Sequence, residues 1–358
     1  MNNLKIAVVG CGHLGTIHAR LLGQVQDVDL VGVVDPVPEA RERVAAECGC
    51  KPFEHHGQLA KHIDAAIVAT PTVSHHEVAS ELLCHGIHLL VEKPVTTDVA
   101  QANQLIRHSK KQGLVLQVGH VERFNPAWNA VRPYLDAPQY IEAVRAGGYT
   151  FRATDVSIVL DLMIHDLDLV LSLVNSPVVD IEALGISLFG PHEDLAMAHL
   201  KFANGCIANL KASRVNYEPQ RSMQIFARSA FATIDFAQRK AELIRPSQEV
   251  LAREVDLTAC PPEQRQEAQE GMFQRLLCKE SVLAEPVNAI LDEQCEFVRA
   301  IRFGHPVRVG GEQGRDALAI AEGILESIRL HRWNGLMPGQ IGPHATFITS
   351  EFPVRRAA

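Results

Sequence analysis

The chain has 358 residues, 47% of them hydrophobic and 21% charged, with a formal net charge of −8. This is ordinary globular composition, long enough for two domains, and an acidic balance without a long basic run argues against a nucleic-acid or membrane-surface partner. The opening "MNNLKIAVVG" is too short and too weakly basic for a signal peptide, and eight scattered cysteines read as reduced thiols of a cytoplasmic protein.

Along the first 120 residues, strand-like and helix-like segments alternate. Strands are predicted at 4–10, 29–35, 65–70, 88–94 and 114–120, and helices at 14–24, 39–49, 75–86 and 97–113. Strands too apolar to face water on either side, each followed by a helix, predict a doubly wound parallel sheet. After Gly119 the pattern changes. Helices are predicted at 126–136 and 156–174, then strands at 180–188, 195–203, 205–213 and 222–228, with Asn204-Gly205 as a hairpin turn. A polar, helix-prone excursion at 261–281 and helices at 286–302 and 311–331 follow. The expected fold is an α/β Rossmann dinucleotide-binding domain over 1–120, then an α+β domain over 121–345 with a largely antiparallel, open-faced sheet, and a tail at 346–358. An open sheet face needs covering, so a homo-oligomer is expected.

"VVGCGHLG" places Gly10, Gly12 and Gly15 in G-x-G-x-x-G spacing between a strand and a helix, the context that gives this pattern meaning. The first glycine permits the turn, the second lets backbone approach a pyrophosphate, and the third lets helix and strand pack closely. The N–H groups of the helix that opens at His13 and Leu14 then face the phosphates. Asp35, at the end of the second strand, is placed to accept both ribose hydroxyls and to repel a 2′-phosphate, so the expected cofactor is NAD. Capping of the segment that begins with Pro36 is the plainer role for Asp35.

Two further segments carry chemistry. "LLVEKPVT" puts Glu92 and Lys93 at the carboxyl end of the fourth strand, where open α/β sheets bind ligands. Desolvation and like charge from a nicotinamide disfavour an ammonium there and suit a lysine to proton transfer, although a snorkelling surface lysine is the commoner fate. "VLDLMIHDLDLVLSLV" (159–174) is apolar enough for a buried helix, yet carries Asp161, His165, Asp166 and Asp168. At 100° per residue Asp161, His165 and Asp168 share one face, and Asp166 points elsewhere. That stripe suggests a lined cavity, a satisfied core histidine being the alternative. Cys48/Cys50, His55/His56 and His75/His76 each lack the partners of a zinc site, so no metal is expected.

Taken together, G-x-G-x-x-G, "ATPTVSHHE", E-K-P and D-x-x-x-H at Asp161 and His165 resemble the Gfo/Idh/MocA oxidoreductase family. The resemblance implies that Lys93, Asp161 and His165 form the catalytic group, and that Thr70, Pro71, His75 and Glu92 line the cofactor. His165 is expected as the base, with Asp161 orienting it or holding a neighbouring hydroxyl. Asp168 is expected as a structural partner, and Asp166 as a bond to the loop at the domain junction. "VGHVERFNPAW" (118–128) and the segment 155–174 resemble the branch that oxidises UDP-activated N-acetylhexosamines at C3, feeding a pyridoxal-phosphate aminotransferase. His120, Glu122, Arg123 and Asn125 would then contact the sugar, and Arg152 would fork onto a diphosphate oxygen. An interdomain ion pair is the plainer reading of Glu122 and Arg123. The glucuronate analogue, an inositol or free sugar, and a non-catalytic NAD-binding regulator are the competing functions.

Overall fold

The computed structural model describes residues 3–59, 61–151, 156–258, 261–283, 287–333 and 337–343. They form two units, one from 1–133, 239–241 and 282–319, the other from 134–238, 242–281 and 320–358. The boundary expected near residue 120 is thus not the only crossing of the chain, because 282–319 returns to the first unit.

In the first unit, six strands form one sheet: β1 (Leu4–Val9), β2 (Val28–Val34), β3 (Lys51–Phe53), β4 (Ala65–Val68), β5 (His88–Glu92) and β6 (Leu116–Gly119). They run parallel in the order β3-β2-β1-β4-β5-β6, a doubly wound arrangement that reverses direction beside β1. Helices α1 (His13–Leu22), α2 (Pro38–Cys48), α3 (Thr72–Cys84) and α4 (Val99–Gln112) make the crossovers. Local chemistry sets their ends. Asp98 caps α4 by accepting the Gln101 N–H at 2.9 Å, and Gly113 closes it with φ of 66°. The short α5 (Pro126–Val131) is likewise capped by Asn125, which accepts the Ala127 N–H at 3.0 Å.

The strands bury Ile6, Val8, Ile67 and Leu90 completely, and Phe297 joins that same core. It arrives from α9 (Ala289–Phe303), which follows the short α7 (Gln248–Leu251) and α8 (Pro262–Glu270), so a helix expected in the second domain stabilises the first. Full burial of one such side chain is worth roughly 1.5–3 kcal/mol.

The second unit is built on an eight-stranded sheet. Its strands are β7 (Pro138–Ala146), β8 (Val178–Ile186), β9 (Leu195–Phe202), β10 (Ile207–Ser213), β11 (Gln220–Ala227), β12 (Phe231–Asp235), β13 (Lys240–Pro246) and β14 (Leu277–Leu283). The order is β14-β13-β12-β11-β7-β10-β9-β8. The β8–β9, β9–β10, β7–β11 and β11–β12 pairs are antiparallel, while β7 and β10 are parallel. Asn204-Gly205 does turn β9 into β10. The residues 261–281 differ from expectation: only Pro262–Glu270 is α-helical, and Leu277–Leu283 is the edge strand β14. An open groove of about 880 Å³ lies over β7, β8, β9 and β10, with Leu184, Met197, Leu210 and Leu330 in its lining.

Buried under that sheet is α6 (Ile164–Val174), entered through a π-helical turn at Val159–Met163. There the Ile164 N–H reaches back to the Val159 carbonyl, a five-residue bond that turns the chain less per residue than an α-helix.

Candidate active site

The glycine turn between β1 and α1 has the geometry its sequence requires. Gly10 adopts φ of 100°, and a Cβ there would lie 2.5 Å from the Ala69 carbonyl oxygen. A Cβ on Gly15 would lie 1.8 Å from the Gly10 oxygen. Only glycine fits either position. At Gly12 the opposite holds, because a Cβ would meet nothing within 4 Å. The space it faces is a cleft of about 310 Å³, lined by Gly12, His13, Thr16, Arg20 and Arg43 among others. His13 and Leu14 are exposed in the first turn of α1, where helical N–H groups have no partner within the helix.

Asp35 closes this turn. Its Oδ2 accepts the Cys11 N–H at 2.7 Å and its Oδ1 the Val37 N–H at 2.9 Å. The carboxylate therefore both caps the following segment and braces the glycine turn, and it stays partly exposed beside the cleft. Thr70 Oγ1 is buried without a hydrogen-bond partner among the described residues, next to the turn that Gly10 allows. An open cradle, a ring of N–H donors, a terminal carboxylate and an unsatisfied hydroxyl together fit a dinucleotide.

Two residues expected to line the cofactor turn their polar atoms to the protein. His75 is 1% exposed, with Nδ1 2.9 Å from the Pro94 oxygen and Nε2 2.9 Å from the Thr70 oxygen. It ties the loop after β4, at Thr70-Pro71, to the loop after β5. Burial lowers its pKa, partly offset by those two carbonyls. Glu92 is 8% exposed, with Oε1 2.8 Å from His18 Nε2. Its Oε2 accepts the N–H of Lys93 at 3.2 Å. Burial alone would raise its pKa, but the His18 bond and the Lys93 charge outweigh this and hold it below the ordinary carboxylate range.

The segment after β6 is equally braced. His120 is buried, Glu122 and Arg123 are half-buried, and Asn125 Nδ2 donates to Glu122 Oε2 at 3.0 Å. Asn125 therefore serves as a cap and as a clamp on Glu122. Arg308 reaches this segment from the returning chain, its guanidinium 4.8 Å from the centre of the Phe124 ring. The paired histidines also find protein partners: His56 Nε2 lies 2.9 Å from Glu81 Oε2, and His76 Nε2 lies 2.8 Å from Gln104 Oε1.

In the second unit, Asp161 falls inside the π-helical turn and His165 in the first turn of α6, and both are half-buried. Asp168, expected on their face, is 2% exposed. The π-turn alters the angular step at Asp161, while His165 and Asp168, three residues apart in α6, keep one helical face. Asp166 finds a partner within its own unit. It takes a two-pronged ion pair from Arg145 of β7, Nη2 to Oδ1 at 2.7 Å and Nε to Oδ2 at 3.0 Å, and so anchors α6 to its own sheet. Arg152 lies outside the described residues.

Sequence reasoning passed over His18, Arg145 and Gln294, each buried and each bonded to a candidate residue or its neighbour. His18 carried a signal, standing three residues after the last glycine on the helix that opens the nucleotide turn.

A parallel sheet with a glycine cradle, an E-K-P strand end and a second, mostly antiparallel unit define a class. The chain belongs to the Gfo/Idh/MocA oxidoreductases: residues 4–120 match the family model for the oxidoreductase family with NAD-binding Rossmann fold, and 123–232 match its C-terminal domain. It is 35% identical over 322 residues to the UDP-N-acetylglucosamine 3-dehydrogenase of Acidithiobacillus ferrooxidans, covering 90% of this chain and 96% of that one. The solved structure of that enzyme superposes with a TM-score of 0.80 at 33% identity, over 91% and 98% of the two chains. The scyllo-inositol 2-dehydrogenase of Bacillus subtilis is 28% identical over 60% of this chain and 68% of its own. Among the described residues no helix is long and apolar enough to cross a membrane.

Proposed function

We propose that this protein oxidises the C3 hydroxyl of UDP-N-acetylglucosamine to the 3-keto sugar, with NAD⁺ as the oxidant. The observation that carries the reading is the near full-length similarity to an enzyme of that name, in a chain that keeps E-K-P and D-x-x-x-H. Bound NAD⁺ supplies a hydride acceptor for the carbinol carbon. The chain's own residues supply the rest. Gly12, the first turn of α1 and Asp35 hold the dinucleotide, and Thr70 and Pro71 border it, while His75 and Glu92 fix the two loops beside it. His165 takes the hydroxyl proton at its imidazole, Asp161 orients that ring or holds the neighbouring hydroxyl, and Lys93 grips the reacting oxygen.

His120, Glu122, Arg123 and Asn125 would shape the place of the sugar and its acyl group, and Arg152 would meet the diphosphate. A 3-keto sugar nucleotide is the substrate of a pyridoxal-phosphate aminotransferase, which would consume the product. The open groove over β7–β10 supports self-association, and the free thiols of every described cysteine suit a reducing cytoplasm.

The test is a panel of UDP-sugars, free N-acetylglucosamine and inositol with NAD⁺, following NADH absorbance and product mass. UDP-N-acetylglucosamine should turn over fastest and lose two mass units. A faster reaction with the glucuronate analogue or a free polyol would move the assignment, and no turnover with any of them would favour a non-catalytic NAD-binding regulator.

A further inference from the structure

Beneath Glu92 runs a chain of buried polar groups that the proposed chemistry does not use. His18 on α1 and Gln294 on α9 are both 0% exposed. Gln294 Nε2 lies 3.0 Å from the His18 carbonyl oxygen and 3.0 Å from His18 Nδ1. A carbonyl only accepts, so the Gln294 atom facing it must be the NH₂ nitrogen. Its second hydrogen then points at Nδ1, which must offer a lone pair. The ring proton is left on Nε2, 2.8 Å from Glu92 Oε1. One backbone carbonyl thus settles the amide, the amide settles the tautomer, and the tautomer gives Glu92 an N–H donor.

The surrounding charges make this choice consequential. Facing His18 are Glu92 at the end of β5 and Glu293 from α9, the ligand atoms of all three lying within 4.8 Å of one another, and the charge of Lys93 acts on Glu92 from just beyond the strand. Arg20 on the same helix is exposed and pairs with Glu47. Two buried carboxylates beside one imidazole favour the imidazolium. An N–H of Gln294 at Nδ1 opposes it, because a second ring proton would face that N–H.

We propose that Gln294 is a positioning residue that locks His18 neutral with its proton on Nε2, so that His18 steadies Glu92 as a carboxylate at the shoulder of Lys93. The inference rests on Lys93 taking part in the reaction, as proposed above. It gives the chain's return to the first unit a task in the site: α9 carries the residue that fixes the site's second layer. Without Gln294 nothing opposes a second proton on His18 Nδ1, and an imidazolium there would cancel the negative charge facing Lys93.

Histidine ¹⁵N resonances of the full-length, NAD⁺-loaded protein test the first half, His18 being assigned by its loss in His18→Gln. The expected result is an unprotonated Nδ1 and a protonated Nε2 that do not titrate between pH 5.5 and 8. In Gln294→Met the same ring should titrate. A wild-type His18 that titrates, or carries its proton on Nδ1, overturns the proposal even if the variant does not fold.

The pH dependence of kcat tests the second half. Gln294→Met should lose about tenfold more kcat at pH 6 than at pH 8, through an ionisation that wild type lacks. The double variant His18→Gln/Gln294→Met should not show it, since an amide keeps an N–H for Glu92 and cannot titrate. A uniform loss at all pH values would reduce Gln294 to packing and overturn its positioning role. If Lys93→Met retains full turnover, the reading of Lys93 fails instead, while the resonance result still stands or falls by itself.

Discussion

Arg145 and Asp166 form a fork buried on both sides, each side chain 4% exposed, with the shorter bond at 2.7 Å. The pair joins the central strand β7 to the residue next to His165. Breaking a buried pair leaves an uncompensated charge and costs about 3–5 kcal/mol. Asp166→Asn and Arg145→Leu should each lower unfolding free energy by about that much in urea titrations. The double variant Arg145→Leu/Asp166→Leu should recover part of the loss. Additive losses would show that the two side chains are not coupled.

Asp35 braces the glycine turn and borders the cleft beside it. Hydrogen bonds to a charged group are worth about 1.5–3 kcal/mol, so Asp35→Ala should weaken NAD⁺ binding by about tenfold or more and narrow the gap to NADP⁺. Calorimetric titration with both cofactors reads this directly. A wild-type protein that prefers NADP⁺ would contradict the reading of this carboxylate.

If His165 is the base, His165→Asn should cut kcat by roughly 10²–10⁴-fold while NAD⁺ affinity barely changes. The acidic limb of the kcat profile near neutrality should vanish with it. Lys93→Met should lose comparable activity and also raise the KM for the sugar nucleotide. Near-normal kcat in His165→Asn beside a dead Lys93→Met would transfer the base role to Lys93.

Stability should fall on mild acidification. Burial lowers the pKa of both His75 and His88, and the His88 ring accepts the Val115 N–H at Nδ1, 2.9 Å away. Burial favours the neutral form of both rings in the fold, so the unfolded chain binds more protons below its own histidine pKa near 6.5. Their contribution is complete above that pH and is lost as pH falls below it toward the lowered folded-state values. Urea midpoints should drop across this window, and His88→Gln should flatten the slope. A midpoint independent of pH there would contradict the prediction.

Much of the first unit was legible because its signals are local. A strand, a three-glycine turn, a helix and an acidic strand end lie within about thirty residues, and steric fit at Gly10 and Gly15 needs nothing from elsewhere in the chain. The hairpin at Asn204-Gly205 was legible for the same reason. Strand β7 was not. Its polar Gln139, Glu142 and Arg145 mask a central strand, and the buried Arg145 is met by Asp166, 21 residues on.

The periodicity of α9 announced a helix but not the partner of its apolar face. Only the fold put Phe297 into the core of β1 and β4, and with it Gln294 against His18. The π-helical turn that sets Asp161 against α6 was not legible either, because the Ile164 N–H reaches back five residues only where the tertiary structure holds it. The sequence by itself determined the nucleotide turn, the alternating βα order and the residue types of the candidate site. The tertiary structure alone decided which buried charges are paired, which histidine tautomer is held, and which helix completes which core. Those depend on contacts between residues tens to hundreds of positions apart, and no local pattern encodes the distance across which a carboxylate finds its partner.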